Sequence, residues 1–108
     1  MAFQVEELAY ELIAAVGPLV PQIKRQDRAL ADQLTRAASS IALNIAESAY
    51  SDPCNRRARL FTAAGSANET RAVLRVATTW RYCTVEATAP AQALLDHVLA
   101  ILWKLTHP

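Results

Sequence analysis

Val5, Leu8, Leu12, Val16, Leu19 and Ile23 follow one another in steps of three and four, the pattern of a seam facing other helices. They predict a first helix over about 3–24. Gly17-Pro18 and Pro21 interrupt it, and each proline removes a backbone donor and crowds the preceding turn, so a kink or break is expected at 17–21. Glu6 and Glu7 are read as first-turn acids that suit the helix dipole. Lys24 to Asp27 forms a polar turn, with Asp27 as N-cap of a second helix over 28–50. Its stripe is Leu30, Leu34, Ile41 and Ile45, flanked by Ala31, Ala37, Ala38, Ala42 and Ala49. Gln33, Ser40 and Asn44 border that stripe, whereas Asp32, Arg36 and Glu47 lie farther round.

Ser51-Asp52-Pro53 stops one helix and starts the next, because proline is favoured at a first helical position behind an Asp cap. A third helix is expected over 53–82. At 100° per residue Phe61, Gly65, Ala72, Val76 and Trp80 share one face, and six arginines fall on the other. Leu60, Ala63, Ala67 and Leu74 sit among those arginines, which suggests that part of the basic face meets another subunit. Val85 to Ala89 reads as a loop, with Thr88 as cap and Pro90 opening a fourth helix over 90–106. The apolar arc of that helix, Leu94 to Leu105, covers about half its circumference and again suggests burial beyond the chain itself. The expected architecture is all-α: one domain spanning 1–108, an antiparallel up-down-up-down four-helix bundle with short turns.

Composition narrows this little further. Hydrophobic residues make up 53% of the 108 residues, aromatics only 6%, and abundant alanine favours closely packed helices. The net charge of +1 hides an asymmetry: residues 1–23 carry Glu6, Glu7 and Glu11 without a base. Residues 53–82 carry Arg56, Arg57, Arg59, Arg71, Arg75 and Arg81 against Glu69 alone. Cys54 and Cys83, at opposite ends of one expected helix, would lie roughly 43 Å apart, far beyond the ~7 Å a disulfide spans. Two free thiols point to a reducing, cytoplasmic setting. The N-terminal residues lack the basic and apolar regions of a signal peptide, and no apolar run approaches the ~20 residues of a membrane span.

The stretch Asp32–Glu47 resembles the small bacterial four-helix-bundle proteins encoded in intervening sequences of 23S ribosomal RNA genes. Their pattern runs close to D-Q-L-R-R-A-A-x-S-I-x-x-N-I-A-E-G. Asp32, Gln33, Leu34, Arg36, Ala37, Ala38, Ser40, Ile41, Asn44, Ile45, Ala46 and Glu47 match it. Gly65, Ser66 and Glu69 meet a second block, G-S-x-x-E. Thr35 stands in place of a second arginine, Ala42-Leu43 in place of a proline-containing pair, and Ser48 in place of a closing glycine. The resemblance implies a homo-oligomer, in related proteins a ring of five. More distantly the chain is similar to the accessory variability determinant proteins of diversity-generating retroelements, which implies nucleic-acid binding through a basic surface.

Two clusters carry the remaining chemistry. Asp32, Gln33, Arg36, Asn44, Glu47 and Glu69 form a polar set whose catalytic reading, a di-iron carboxylate site, needs Glu-x-x-His pairs. Neither His97 nor His107 has a glutamate three residues earlier, so a structural network is expected, with Glu69 in the apolar arc of its helix and paired to a base or amide opposite. The arginines Arg56, Arg57, Arg59, Arg71, Arg75 and Arg81 suit phosphate, or else face solvent or the acids of a neighbouring subunit. Neither cysteine has a sequence context for nucleophilic chemistry, and Trp80, Tyr82 and Trp103 read as core or interface packing ahead of base stacking. No nucleotide loop or metalloprotease motif is present. The expectation is a non-enzymatic bundle with no catalytic residue, metal or cofactor. It either binds RNA or DNA through its arginines or assembles with itself or a protein partner as a scaffold.

Overall fold

The computed structural model describes residues 2–108, with side chains from residue 4 onward. Among these residues there are five helices and no strand: α1 (Ala2–Val16), α2 (Leu19–Lys24), α3 (Arg28–Ser48), α4 (Pro53–Thr79) and α5 (Val85–Thr106). The whole measures 42 × 22 × 19 Å.

The expected first helix is two. The Gly17 N–H donates to the Ile13 carbonyl at 2.9 Å and closes α1, after which Pro18 opens α2. Pro21 does not interrupt α2, because it falls in the first turn, where backbone N–H groups have no helical partner in any case. Val5, Leu12, Val16, Leu19 and Ile23 are all buried, so the seam continues through the break. The acids of α1 fall beyond its first turn, since the helix already starts at Ala2.

Asp27 caps α3 by accepting from the Leu30 N–H at 3.0 Å, and Asp52 caps α4 by accepting from the Asn55 N–H at 3.0 Å. Proline at the first position of α4 is tolerated for the reason that makes it frequent there. The cap of α5 is Thr84, whose hydroxyl accepts from Ala87 N–H at 3.1 Å, and not Thr88. The expected loop at Val85–Ala89 is therefore helical and Pro90 lies inside α5. Thr88 is instead buried, its hydroxyl donating back to the Val85 carbonyl at 2.9 Å, and it extends the stripe of Ala91, Leu95, Val98 and Leu102 by one turn.

α4 ends three residues before Tyr82. The Tyr82 N–H reaches the Ala77 carbonyl at 2.9 Å and the Arg81 N–H reaches the Thr78 carbonyl at 3.0 Å, the paired bonds of a Schellman stop. That stop places Arg81 at φ 64, in the left-handed region usually given to glycine.

The core corrects the reading of α4. Leu60, Ala63, Ala67, Thr70, Val73, Leu74 and Ala77 are its buried residues, so the leucines among the arginines face this chain's own interior. The face that groups Phe61, Gly65, Ala72, Val76 and Trp80 is outward: Phe61 is 43%, Val76 42% and Trp80 67% exposed. The broad apolar arc of α5 is also used within the chain. α5 packs against both α1 and α4; Leu95, Val98, Ile101 and Leu102 are buried, with Leu94, Leu99 and Leu105 packed around them. Cys54 is an exposed free thiol and Cys83 a buried one. Among the described residues no helix is long and apolar enough to cross a membrane.

Candidate nucleic-acid interface

α3 and α4 form an antiparallel hairpin joined along one flank by polar contacts. Gln33 Nε2 donates to Glu69 Oε2 at 3.3 Å, the hydroxyls of Ser40 and Ser66 lie 2.8 Å apart, and Arg59 pairs with Glu47. The residue numbers rise on α3 as they fall on α4, so the contacts fix register as well as proximity. Asn44 acts on its own helix, its amide donating to the Ser40 carbonyl at 2.9 Å and to the Ser40 hydroxyl at 3.1 Å. The Ser40 hydroxyl thus joins the Asn44 amide of its own helix to Ser66 of α4. Glu69 lies in the expected arc, between Val76 and Trp80, but that arc faces outward, so the carboxylate is exposed; its partner is the expected amide. Asp32 and Arg36 are exposed and, with Thr35, line a shallow depression of about 270 Å³ away from the seam.

The six arginines do not form one continuous face. Arg59 is held against α3 by Glu47, and Arg71 Nη2 meets Asp96 Oδ1 of α5 at 2.5 Å. Arg71 Nε is buried without a hydrogen-bond partner. Arg56 Nε donates to the Ser48 carbonyl, and Arg57 Nε to the Thr106 carbonyl, each at 3.3 Å. Ser48 and Thr106 are the last residues of α3 and α5, so two guanidinium groups at the start of α4 satisfy the exposed carbonyl ends of its antiparallel neighbours. Among the described residues the side chains of Arg75 and Arg81 make no hydrogen bond or ion pair.

At that same end an aromatic group gathers which sequence reasoning did not find. His107 stacks on Trp103 with centroids 4.4 Å apart and meets Phe61 edge-on at 5.8 Å. The Arg57 guanidinium carbon lies 5.3 Å from the Phe61 centroid. His107 Nδ1 is 2.9 Å from the Trp103 carbonyl. The Thr106 hydroxyl lies 3.0 Å from the same nitrogen, so Nδ1 donates to the carbonyl or accepts from the hydroxyl according to the tautomer. The four-residue spacings Arg57–Phe61 and Trp103–His107 were the available signal, since such pairs are neighbours on a helix surface. Trp103 is 61% exposed and, like Trp80, is not a core residue. At the opposite end Trp80 stacks on Tyr82 at 6.4 Å.

Three groups have displaced ionisation. The Asp52 carboxyl lies below its ordinary range because the backbone and side chain of Asn55 donate to it. The Tyr10 phenol is raised, chiefly by its hydrogen bond to Glu6 at 2.5 Å, and burial raises the Cys83 thiol. No three His, Cys, Asp or Glu side chains gather as a metal site among the described residues.

A family model described as 23S rRNA-intervening sequence protein matches residues 1–104. In fold the chain is similar to a crystal structure of a protein with unknown function from the S23 ribosomal protein family of Bacteroides thetaiotaomicron VPI-5482. The TM-score is 0.88 at 20% identity, covering 96% of this chain and 99% of that one. No curated protein matches the sequence. Neither match extends the resemblance to the accessory variability determinant proteins.

Proposed function

Because the chain belongs to the 23S rRNA-intervening sequence protein family, we propose that it is a non-enzymatic protein that assembles with copies of itself. Each copy is an up-down-up-down four-helix bundle in which α1 and α2 together count as one broken helix. The observation that carries this reading is the outward face of α4. Phe61, Val76 and Trp80 stand exposed there, with the uncharged residues Gly65, Asn68 and Ala72 between them and Glu69, bonded to Gln33 of α3, toward its edge. A solvated helix face is ordinarily charged, and small residues such as Gly65 and Ala72 between larger apolar ones let a second helix approach closely. A ring of five is the assembly that the family resemblance implies.

Sedimentation of the native protein tests the reading. The expected particle is a multiple of 11.8 kDa, and Ala72→Glu dissociates it while leaving helix content unchanged. A lone 11.8 kDa particle at micromolar concentration overturns the proposal.

A second reading, binding of single-stranded RNA or DNA, is favoured by one observation: Arg75 and Arg81 are exposed with no side-chain partner among the described residues. In a ring such groups recur on every copy. Phosphate binding weakens steeply as salt rises and falls with Arg75→Gln and Arg81→Gln; an assembly built on apolar contact does neither.

A further inference from the structure

Where α4 begins and α3 and α5 finish, an open groove of about 440 Å³ runs between Arg56, Arg57, Leu60, Leu105 and His107. It continues past Arg56 into a recess of about 320 Å³ beside Ser48 and Ala49. We propose that this groove binds one nucleoside phosphate, the phosphate on Arg56 and Arg57 and the base over Leu60 and Leu105.

Three features support that ligand. First, the two guanidinium groups are already positioned. Each spends its Nε–H on a helix-end carbonyl, Ser48 or Thr106, which fixes the plane of the fork and leaves the terminal nitrogens for a ligand. Two forks supply more donors than one carboxylate accepts, whereas a phosphate monoester presents three oxygens and up to two charges. Second, no Asp or Glu lines either the groove or its recess. Asp52 is engaged as the cap of α4 and does not line them. Third, the floor is apolar and one edge is polar. Leu60 is buried and Leu105 half-buried, while the exposed His107 lines the groove and offers its ring nitrogens as a polar edge for a base or a sugar hydroxyl. An apolar surface with a few fixed polar groups, in a volume of this size, suits a small planar ligand.

The proposal rests on the nucleic-acid reading only where the nucleotide belongs to a strand; a free mononucleotide has the same chemistry. NMR titration of the wild-type protein separates these sources, using adenosine monophosphate, adenosine, inorganic phosphate and a ten-residue oligoadenylate as probes. Adenosine monophosphate is expected to shift the Arg56 and Arg57 Nε–H and the Trp103 indole resonances and to leave Trp80, at the opposite end, unmoved. Adenosine and inorganic phosphate each bind about tenfold or more weakly, as the loss of charge-assisted hydrogen bonds or of apolar contact requires. Arg57→Gln weakens the nucleotide about tenfold. Because that variant also unseats the end of α5, Ala49→Glu provides a second variant. It places a carboxylate in the recess from an exposed position and is expected to weaken binding at unchanged melting temperature.

Absence of groove shifts with adenosine monophosphate, or binding unaltered in both variants, overturns the proposal. Oligoadenylate that binds elsewhere, moving Arg75 and Arg81 alone, overturns the groove and keeps the nucleic-acid reading. Mononucleotide bound in the groove while the oligomer is ignored supports the groove and removes that reading.

Discussion

The two apolar sides of α4 are alike in composition and opposite in the molecule. The inward side carries Leu60, Ala63, Ala67, Val73, Leu74 and Ala77; the outward side carries Phe61, Gly65, Ala72, Val76 and Trp80, with Asn68 and Glu69 among them. Hydrophobic content barely separates them, and the bulkier aromatics lie outside. What separates them is the arginines. Arg57 and Arg71 flank the inward side, Arg56 and Arg59 continue its line toward the start of the helix, and all four are long enough to reach groups on the neighbouring helices. A charged residue beside a buried stripe marks its edge. A basic flank is therefore evidence of helix contact as much as of solvent.

The sharpest way to break this comparison is to truncate one residue from each side. Leu74→Ala removes a fully buried side chain between helices and is expected to destabilise the folded chain by about 2–5 kcal/mol. Val76→Ala, two residues on and half exposed, is expected to change single-chain stability by less than about 1 kcal/mol while weakening self-association. Urea unfolding at low protein concentration reads the first effect, and sedimentation reads the second. Equal losses in both variants, with the particle unchanged, would mean that the outward face has no partner.

Why the sequence misled at α4 and served well elsewhere follows from the same residues. In α3 one stripe is apolar and the opposite face is charged, so periodicity had a single solution; Leu34, Ile41 and Ile45 are buried as expected. Caps were legible where the competing signals were few, at Asp27 and Asp52. At α5 two threonines competed. Pro90 drew the helix start to Thr88, but α5 runs through it: the turn before it is capped by Thr84 and buried through Thr88, and it holds although Pro90 cannot donate to the Glu86 carbonyl. The polar set of α3 and α4 was legible as a set, and its pairing was not. Glu69 meets Gln33 and Glu47 meets Arg59 because the hairpin register brings them together, and register is a property of two helices. The groove was invisible for that reason too: its arginines and His107 come from chain segments about fifty residues apart.

A smaller effect sharpens the comparison from the outward side alone. Nothing lies within 4 Å of a Cβ built on Gly65, so within one chain alanine fits there without a clash. Gly65→Ala is then expected to stabilise the isolated chain by about 0.5–1 kcal/mol through helix propensity. If a second copy packs against that stripe, the added methyl stands in its way and association weakens as the fold strengthens. Thermal melting at low concentration and sedimentation at high concentration should move in opposite directions. Movement in the same direction would show that nothing docks at Gly65.

The C-terminal stop of α4 offers a change of comparable or smaller size. Arg81 holds φ 64 in a position where a side chain crowds its own backbone. Arg81→Gly relieves that strain but gives the unfolded chain more freedom, leaving an expected net gain of about 0.5 kcal/mol. A loss of stability instead would show that the arginine side chain itself anchors the turn. Salt-dependent oligonucleotide binding in the same variant then reports whether strain and phosphate contact coincide at this residue.

The smallest expected effect lies at Cys83, buried against the inward side just past the end of α4. Burial disfavours the thiolate and raises the folded thiol's pKa above its unfolded value. Between those two values the folded state holds more protons than the unfolded one, so stability falls as pH rises. The contribution is fully present below the unfolded thiol's pKa of about 8.5 and is lost as pH rises through the folded value. Cys83→Ser shifts any alkaline loss to the much higher range of a hydroxyl, so the difference between wild-type and variant stability should narrow as pH rises above about 8.5. Cys54, exposed at the other end of α4, provides the internal control: it should react readily with a maleimide under conditions where Cys83 does not. Equal labelling of both thiols in the native protein would mean that this end of the inward face opens, and the contrast between the two sides of α4 would then hold only for the turns nearer its start.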